Sequence, residues 1–260
     1  MMKFRDVHYE FPLVTTKKVY WKSMIAELLG FIRGASDAKE FEHLGTKIWN
    51  ANADAWESPH KRFDTDLGRI YGVQWRNWLT PVHNQDQGSD QYWSVRPTDQ
   101  LSCVVDLLSQ RDDKRRAILL SWNPGEYYHN LQALPACHAM AQFSVREGGT
   151  ALDCAMYQRS CDFPLGIPFN IASYATLMII LGRITGLRPR HLTLMMGDMH
   201  IYENQVPLVE VQLAREPLPS PQLTILPHVK TLRDFEVAEV DDFQLRGYEH
   251  HGHISYPFSV

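Results

Sequence analysis

Residues 134–140 read LPACHAM, and residues 157–174 read YQRSCDFPLGIPFNIASY. Between them the chain alternates. Ala139, Ala141, Phe143 and Val145 share one parity, and Met140, Gln142 and Ser144 take the other. A period of two over 138–146 predicts a strand with one buried face, and Cys137 has the parity of that face. Glu147-Gly148-Gly149 is a hairpin turn signal, so 151–160 is expected to run back as a second strand. The hairpin then returns Arg159 and Ser160 to the neighbourhood of Cys137. A guanidinium beside a thiol favours the ionised thiolate. Arg159 and Ser160 together also offer an anion a bidentate fork and a hydroxyl donor. The residues alone equally allow Cys137 as a small buried hydrophobe and Arg159 as a surface charge.

Two helices follow from periodicity. Over 20–34, Trp21, Met24, Ile25, Leu28, Leu29 and Ile32 form one apolar stripe that ends at Gly34. Glu27 lies within that stripe. A carboxylate there must be paired, protonated or functional, and burial raises its pKa towards a range suited to proton transfer. Residues 170–185 are apolar on nearly every side, which predicts a helix at the centre of the domain, ended by Gly186 and Pro189. Asn170 stands at its entrance. An amide there can donate to a ring oxygen and accept from an adjacent ring N–H, the pattern of the O4/N3–H edge of uracil. A helix-capping asparagine is the alternative.

Further along the chain, 1–10 is expected as a strand, 37–44 as a short helix and 50–68 as a polar loop at the mouth of a site. Residues 84–92 are expected as an exposed loop, 97–110 as an amphipathic helix, 117–122 as a strand and 123–126 as a turn. His191–196 leads as a strand into GDMHIY, where His200 and Tyr202 share parity. A helix over 203–215 and strands at 222–226 and 242–247 complete the pattern.

Composition bounds the class. At 260 residues the chain can form one large domain, burying roughly three quarters of its unfolded surface. A net charge of -4 argues against a general nucleic-acid binder, which needs a basic excess. Cys103, Cys137, Cys154 and Cys161 show no zinc-type spacing, which points to reduced thiols in a cytoplasmic setting and to no metal. No continuous apolar run of about 18 residues and no signal-like start suggest a membrane location.

These segments closely resemble the active-site core of the thymidylate synthase family. The resemblance is carried by LPACHAM and RSCD-x-x-LG-x-PFN-x-AS-Y, and extends through FPLVTTKK at 11–18, AELLGFIRG at 26–34, GTKIW at 45–49, GRIYGVQWR at 68–76, DKRRAIL at 113–119, GDMHIYENQ at 197–205 and the terminal YPFSV. It implies an α/β fold: a mixed, mostly antiparallel sheet with a buried central helix, dimerising through the sheet, in a single catalytic domain over 1–260. It also implies reductive methylation of dUMP by 5,10-methylenetetrahydrofolate, giving dTMP and dihydrofolate, with no metal.

By the same resemblance Cys137 is the nucleophile, Glu27 and Tyr71 manage protons, and Arg159 and Asn170 complete the catalytic set. Arg159, Ser160 and, across the dimer, Arg115 and Arg116 hold the phosphate. His138 lies among the substrate residues, and His200 and Tyr202 take the deoxyribose 3′-hydroxyl. Asp162 and Gly166 receive the pterin, Trp49 packs on the folate, Lys17 meets its glutamate tail, and Val260 ends a tail that closes over bound ligands.

Gly30 and Asn52 stand where many members carry tryptophan, and ELLG with YPFSV marks a minority branch. The family's N-terminal Arg-Thr-Gly phosphate loop is expected to be absent. A dUMP 5-hydroxymethylase on the same fold, or a weakly active nucleotide- or RNA-binding homologue, are the alternative functions.

Overall fold

The computed structural model describes residues 1–83, 93–110 and 114–257. The loop expected over 84–92 and the terminal Val260 lie outside the described residues. The first half of the chain forms β1 (Met2–Phe4), α1 (Trp21–Arg33), α2 (Ala38–Leu44), α3 (Asn50–Ala55), α4 (Tyr71–Arg76), β2 (Trp78–His83), β3 (Trp93–Thr98), α5 (Gln100–Gln110), β4 (Ile118–Leu120) and α6 (Pro124–Tyr128). The second half forms β5 (His138–Arg146), β6 (Ala151–Asp162), α7 (Gly166–Thr185), β7 (Arg188–His200), α8 (Val206–Leu213), β8 (Gln222–Ile225), α9 (Leu232–Val237) and β9 (Phe243–Arg246).

The main sheet has the order β1-β7-β6-β5-β4. The pair β6–β7 is parallel, and β1–β7, β4–β5 and β5–β6 are antiparallel, so the sheet is mixed and mostly antiparallel as expected. The parallel pair needs a crossover, and α7 supplies it. Its flanks explain why it is buried on nearly every side: α7 packs on β6 and β7 and is covered by α1 and α5. By length and composition α7 is apolar enough to cross a membrane, although no unbroken apolar run announces it; 78% of the apolar window is buried inside the fold.

Several local expectations change. The helix expected from 97 starts at Gln100, because Pro97 and Thr98 pair with Leu79 and Trp78 in the β2–β3 hairpin. Asp99 then caps α5, accepting the Ser102 N–H at 2.9 Å. The turn at 123–126 is instead the start of α6, where Asn123 accepts the Glu126 N–H and Pro124 fills the first turn. The mouth loop begins with α3, and its far end is pinned by buried Asp66, which accepts from Arg62 at 2.9 and 2.7 Å. The first strand spans only Met2–Phe4.

The helix expected at 170 starts four residues earlier, at Gly166. Its other end is fixed by close approach. A Cβ built on Gly182 would sit 2.5 Å from the Leu187 carbonyl oxygen and 3.0 Å from the Pro189 ring. Gly186, at φ 70°, turns the chain directly from α7 into β7. Gly182→Ala is expected to push α7 off the β7 turn. Overpacking of about 1–3 kcal/mol exceeds the helix gain of about 1 kcal/mol. Thermal denaturation should show a melting temperature lower by several degrees; an unchanged or raised value would show that the close approach does not constrain α7.

Candidate active site

The antiparallel pairing of β5 and β6 ends at Arg159, whose backbone N–H donates to the Cys137 carbonyl at 2.6 Å. A register shift between His138 and Met140 lies beside it. The guanidinium folds back over the same loop: Nε donates to the Ala136 carbonyl at 3.2 Å and Nη2 to the Pro135 carbonyl at 3.4 Å. Nη2 then lies 4.0 Å from Cys137 Sγ, and the guanidinium carbon sits 5.2 Å from the centre of the Trp122 ring. Burial pushes the Cys137 thiol up, and Arg159 pulls it only part of the way back, so its pKa stays above the usual thiol value. Arg159 thus favours the ionised thiol, as expected, while burial opposes it.

The Cys137 N–H donates to the Tyr71 hydroxyl at 2.7 Å. The Tyr71 ring stacks on His138 at 3.9 Å with a 12° interplanar angle, and His138 Nδ1 lies 2.9 Å from the Tyr174 hydroxyl. Burial pushes His138 down to about 3, so the imidazole is neutral. Burial first, then the neighbouring Cys137, pushes the Tyr71 hydroxyl well above its ordinary value. Glu27, on α1, accepts the Trp49 indole N–H at 3.1 Å. Burial pushes its carboxyl up to about 7 against the pull of that hydrogen bond. Trp49 is itself buried among Phe31, Phe41 and Tyr71, and what it offers Glu27 is the indole N–H.

Asn170 lies inside α7, which begins at Gly166, so it does not cap the helix. Its Oδ1 accepts from Gln158 Nε2 at 2.8 Å, while Gln158 also donates to the Ser160 carbonyl at 3.1 Å. This leaves the Asn170 amino group and one lone pair of its oxygen for a ligand. Gly166 faces the space between Asn170 and Asp162: a Cβ there would meet Asn170 Oδ1 at 3.7 Å and Asp162 Cβ at 3.9 Å. Asp162 pairs in register with His200 and Ser160 with Asp198, so parallel strands β6 and β7 deliver these residues to one end of the sheet. The rings of His200 and Tyr202 are 5.1 Å apart.

Other expected residues sit elsewhere. Lys17 is neither solvated nor extended outwards. Its ammonium donates to the Pro164 carbonyl at 2.5 Å and lies 4.6 Å from the centre of the Tyr256 ring. Burial pushes it down to about 8, against the attraction of Asp162. Arg115 and Arg116 are exposed at the start of β4. The Arg115 carbonyl accepts from Gln142, which is five residues along β5 from Cys137, roughly 17 Å at about 3.4 Å per residue. Among the described residues no group of three or more His, Cys, Asp or Glu side chains is placed to hold a metal.

Four contributors were not singled out in the sequence: Gln158, Gln205, Trp122 and Tyr174. Gln158 had a signal. It shares parity with buried Leu152, Cys154 and Met156 of β6, and a polar side chain on a buried face needs a partner. Trp122 and Gln205 had none, because their partners are distant in sequence.

A family model described as thymidylate synthase matches residues 1–260. The thymidylate synthase of Shewanella loihica is 45% identical over 257 residues, covering 96% of this chain and 85% of that protein. The Homo sapiens thymidylate synthase is 44% identical over 255 residues, covering 96% and 78%. That of Photobacterium profundum is 44% identical over 265 residues, covering 100% and 88%. A likeness of this extent, running through both strands that carry the thiol and the guanidinium and through the helix that carries the amide, means that the chain belongs to the thymidylate synthase family.

Proposed function

We propose that the chain converts dUMP to dTMP by reductive methylation, with 5,10-methylenetetrahydrofolate as cosubstrate and dihydrofolate as coproduct. The observation that carries this reading is the Cys137 thiol 4.0 Å from the Arg159 guanidinium at the end of a buried hairpin. Uracil C5 is a poor nucleophile until a thiolate adds to C6. The Cys137 thiol gives up its proton to solvent, which the Arg159 charge favours; the thiolate adds to C6, and charge develops at O4. The Asn170 amide, oriented by Gln158, donates to that oxygen and accepts from N3–H. Arg159 and Ser160 hold the phosphate, and His200 and Tyr202 hold the 3′-hydroxyl.

Proton traffic falls to Glu27 and Tyr71. A carboxyl raised to about 7 can donate and accept near neutral pH, which general acid–base work requires. Neutral His138, stacked on Tyr71 and bonded to Tyr174, fixes the Tyr71 hydroxyl that receives the Cys137 N–H. The residues present fit a pterin: the Asp162 carboxylate matches adjacent ring N–H donors, and Gly166 leaves the slot beside it open. When bound, the folate supplies both the one-carbon unit and the hydride. Asp162 and Gly166 orient it, Trp49 acts through Glu27, and Lys17 acts through the Pro164 carbonyl that anchors the Asp162 loop.

The working unit is a homodimer through the sheet. Tyr157, Met195 and Met199 of β6 and β7 are exposed apolar residues, which supports a covered face. Arg115 and Arg116 precede β4, roughly 17 Å along the sheet from their own Cys137, which supports their service to the partner's phosphate site. The free cysteines support a reducing, cytoplasmic setting.

Incubation with dUMP and methylenetetrahydrofolate should yield dTMP and dihydrofolate in equal amounts, followed by absorbance and nucleotide mass. Hydroxymethyl-dUMP with tetrahydrofolate would replace this reading. Cys137→Ser should lower turnover by roughly 10⁴-fold or more, as for other catalytic nucleophiles, while dUMP still binds. Retained turnover would remove Cys137 from its role. Asn170→Asp should weaken dUMP use and favour dCMP, whose ring edge has the reversed donor–acceptor order; an unchanged preference in a competition assay would count against the amide reading.

Glu27 also predicts a pH effect on stability. Its folded pKa of about 7 lies above its ordinary 4.5. The folded chain thus holds a proton that the unfolded chain releases, and stability falls as pH rises from 4.5 through 7. Glu27→Gln keeps the acceptor for Trp49 and removes this loss. Its melting temperature should match wild type below pH 4.5 and exceed it at pH 8, with turnover lost at every pH. No difference at pH 8 would mean that the carboxyl is not held neutral.

A further inference from the structure

Gln205 closes the short 3-10 turn Glu203–Gln205 and is completely buried. Its two ends serve different parts of the molecule. Oε1 accepts the backbone N–H of Tyr202 at 3.0 Å. Nε2 faces both carboxylate oxygens of Asp162, at 3.4 and 3.3 Å, and the Pro257 carbonyl at 3.2 Å. One primary amide therefore touches the nucleotide side of the site, the folate side and the C-terminal segment.

The chemistry of the group fits this position closely. A side-chain amide has two N–H donors and a carbonyl. One donor can serve Asp162 and the other Pro257, while the carbonyl serves Tyr202. A carboxylate could reproduce only the last of these, and it would place a second negative charge against Asp162. The C-terminal segment is held a second time near the same carboxylate. Tyr256 Oη lies 2.7 Å from Gln212 Oε1 and 3.2 Å from the Leu208 carbonyl. Lys17 bridges the Tyr256 ring and the Pro164 carbonyl, in the same turn where Asp162 accepts the Leu165 N–H at 3.2 Å.

We infer that Gln205 is a positioning residue for the folate cosubstrate: it sets the Asp162 carboxylate and seats the C-terminal segment at Pro257 as one unit. This rests on the reading of Asp162 as the pterin-binding carboxylate. Gln205 does not touch either substrate; it acts through Asp162 and Pro257. Because its carbonyl end holds Tyr202 separately, the two functions can be divided by substitution.

Gln205→Glu keeps the acceptor for Tyr202, removes both amide donors and sets a second carboxylate against Asp162. It is expected to raise KM for methylenetetrahydrofolate by about tenfold or more, the size of losing a hydrogen bond to a charged group. The equilibrium affinity for dUMP should stay near that of wild type. Hydrogen–deuterium exchange of the C-terminal peptide spanning 250–257 should quicken. Gln205→Met, which removes both ends of the amide, should weaken dUMP as well.

An unchanged folate KM, or C-terminal exchange as slow as wild type, would overturn the inference. Equal losses for both substrates in Gln205→Glu, tracking a fall in melting temperature, would reduce Gln205 to a structural residue. The exchange experiment needs no turnover. If the wild-type chain converted no dUMP, the functional reading would fail while the tie between Gln205 and Pro257 would still be tested.

Discussion

The antiparallel closure of β5 on β6 is the constraint on which the site depends. Its last backbone bond, Arg159 N–H to the Cys137 carbonyl at 2.6 Å, fixes a cation beside a thiol that lies 22 residues earlier in the chain. The guanidinium has little freedom left. Two of its donors go to the Ala136 and Pro135 carbonyls, one face lies over Trp122, and the remaining donors are left for an anion. Stacking on an aromatic ring and bonding to carbonyls leave the positive charge undiminished while fixing its plane. The cation is therefore placed by neutral groups, and its charge remains available to the thiol and to an anion. The same strand pair continues into the parallel β6–β7 register, which brings Asp162 opposite His200.

Around that hairpin burial favours the neutral forms of Cys137, Glu27 and His138. Burial pushes Cys137 and Glu27 up and His138 down. All three shifts have the same cause, the poor solvation of charge in a packed interior, and none needs a strongly coupled ion pair. The consequence is chemical. A thiol, a carboxyl near its midpoint at neutral pH and a neutral imidazole sit within one aromatic cluster with little mutual repulsion. Charge then enters with the ligand: an anionic phosphate at Arg159 and a developing enolate at Asn170 meet groups already aimed at them. A site arranged in this way carries little electrostatic strain when empty and has its donors preorganised for the charged state.

Legibility in the sequence followed interaction range. The hairpin, its Gly-Gly turn and the apolar helix α7 were plain, because their periodicities are local. Glu27 was plain for the same reason, a charge inside an apolar stripe. Element boundaries were lost where a neighbour competed. Pro97 and Thr98 fit a helix by composition but pair with β2, and residues 166–169 extend α7 because Gly166 and Pro168 are tolerated in a first turn. The inward turn of Lys17 could not be read from FPLVTTKK, since its partners Pro164 and Tyr256 lie 147 residues away in the first case and near the chain's end in the second. At Cys137 the nearby arginine is visible in sequence, whereas the burial that opposes it is not.

What the sequence hid most completely is the use of neutral amides as connectors. Gln158 joins Ser160 to Asn170, and Gln205 joins Tyr202 to Asp162 and Pro257. Gln100 does the same work away from the site, donating to the Gln74 and Leu120 carbonyls while accepting the Leu120 N–H. Gln74 in turn donates to the Arg69 carbonyl and to Glu126. A glutamine has both donor and acceptor ends on a side chain long enough to span adjacent elements, and it brings no charge into a region whose pKa values depend on charge being scarce. At Gln158 and Gln205 a lysine or glutamate would bridge the same distances but would set a charge beside Asn170 or Asp162. Glutamine at Gln158 and Gln205 therefore lets the framework be polar enough to orient Asn170 and Asp162 without adding a charge beside them.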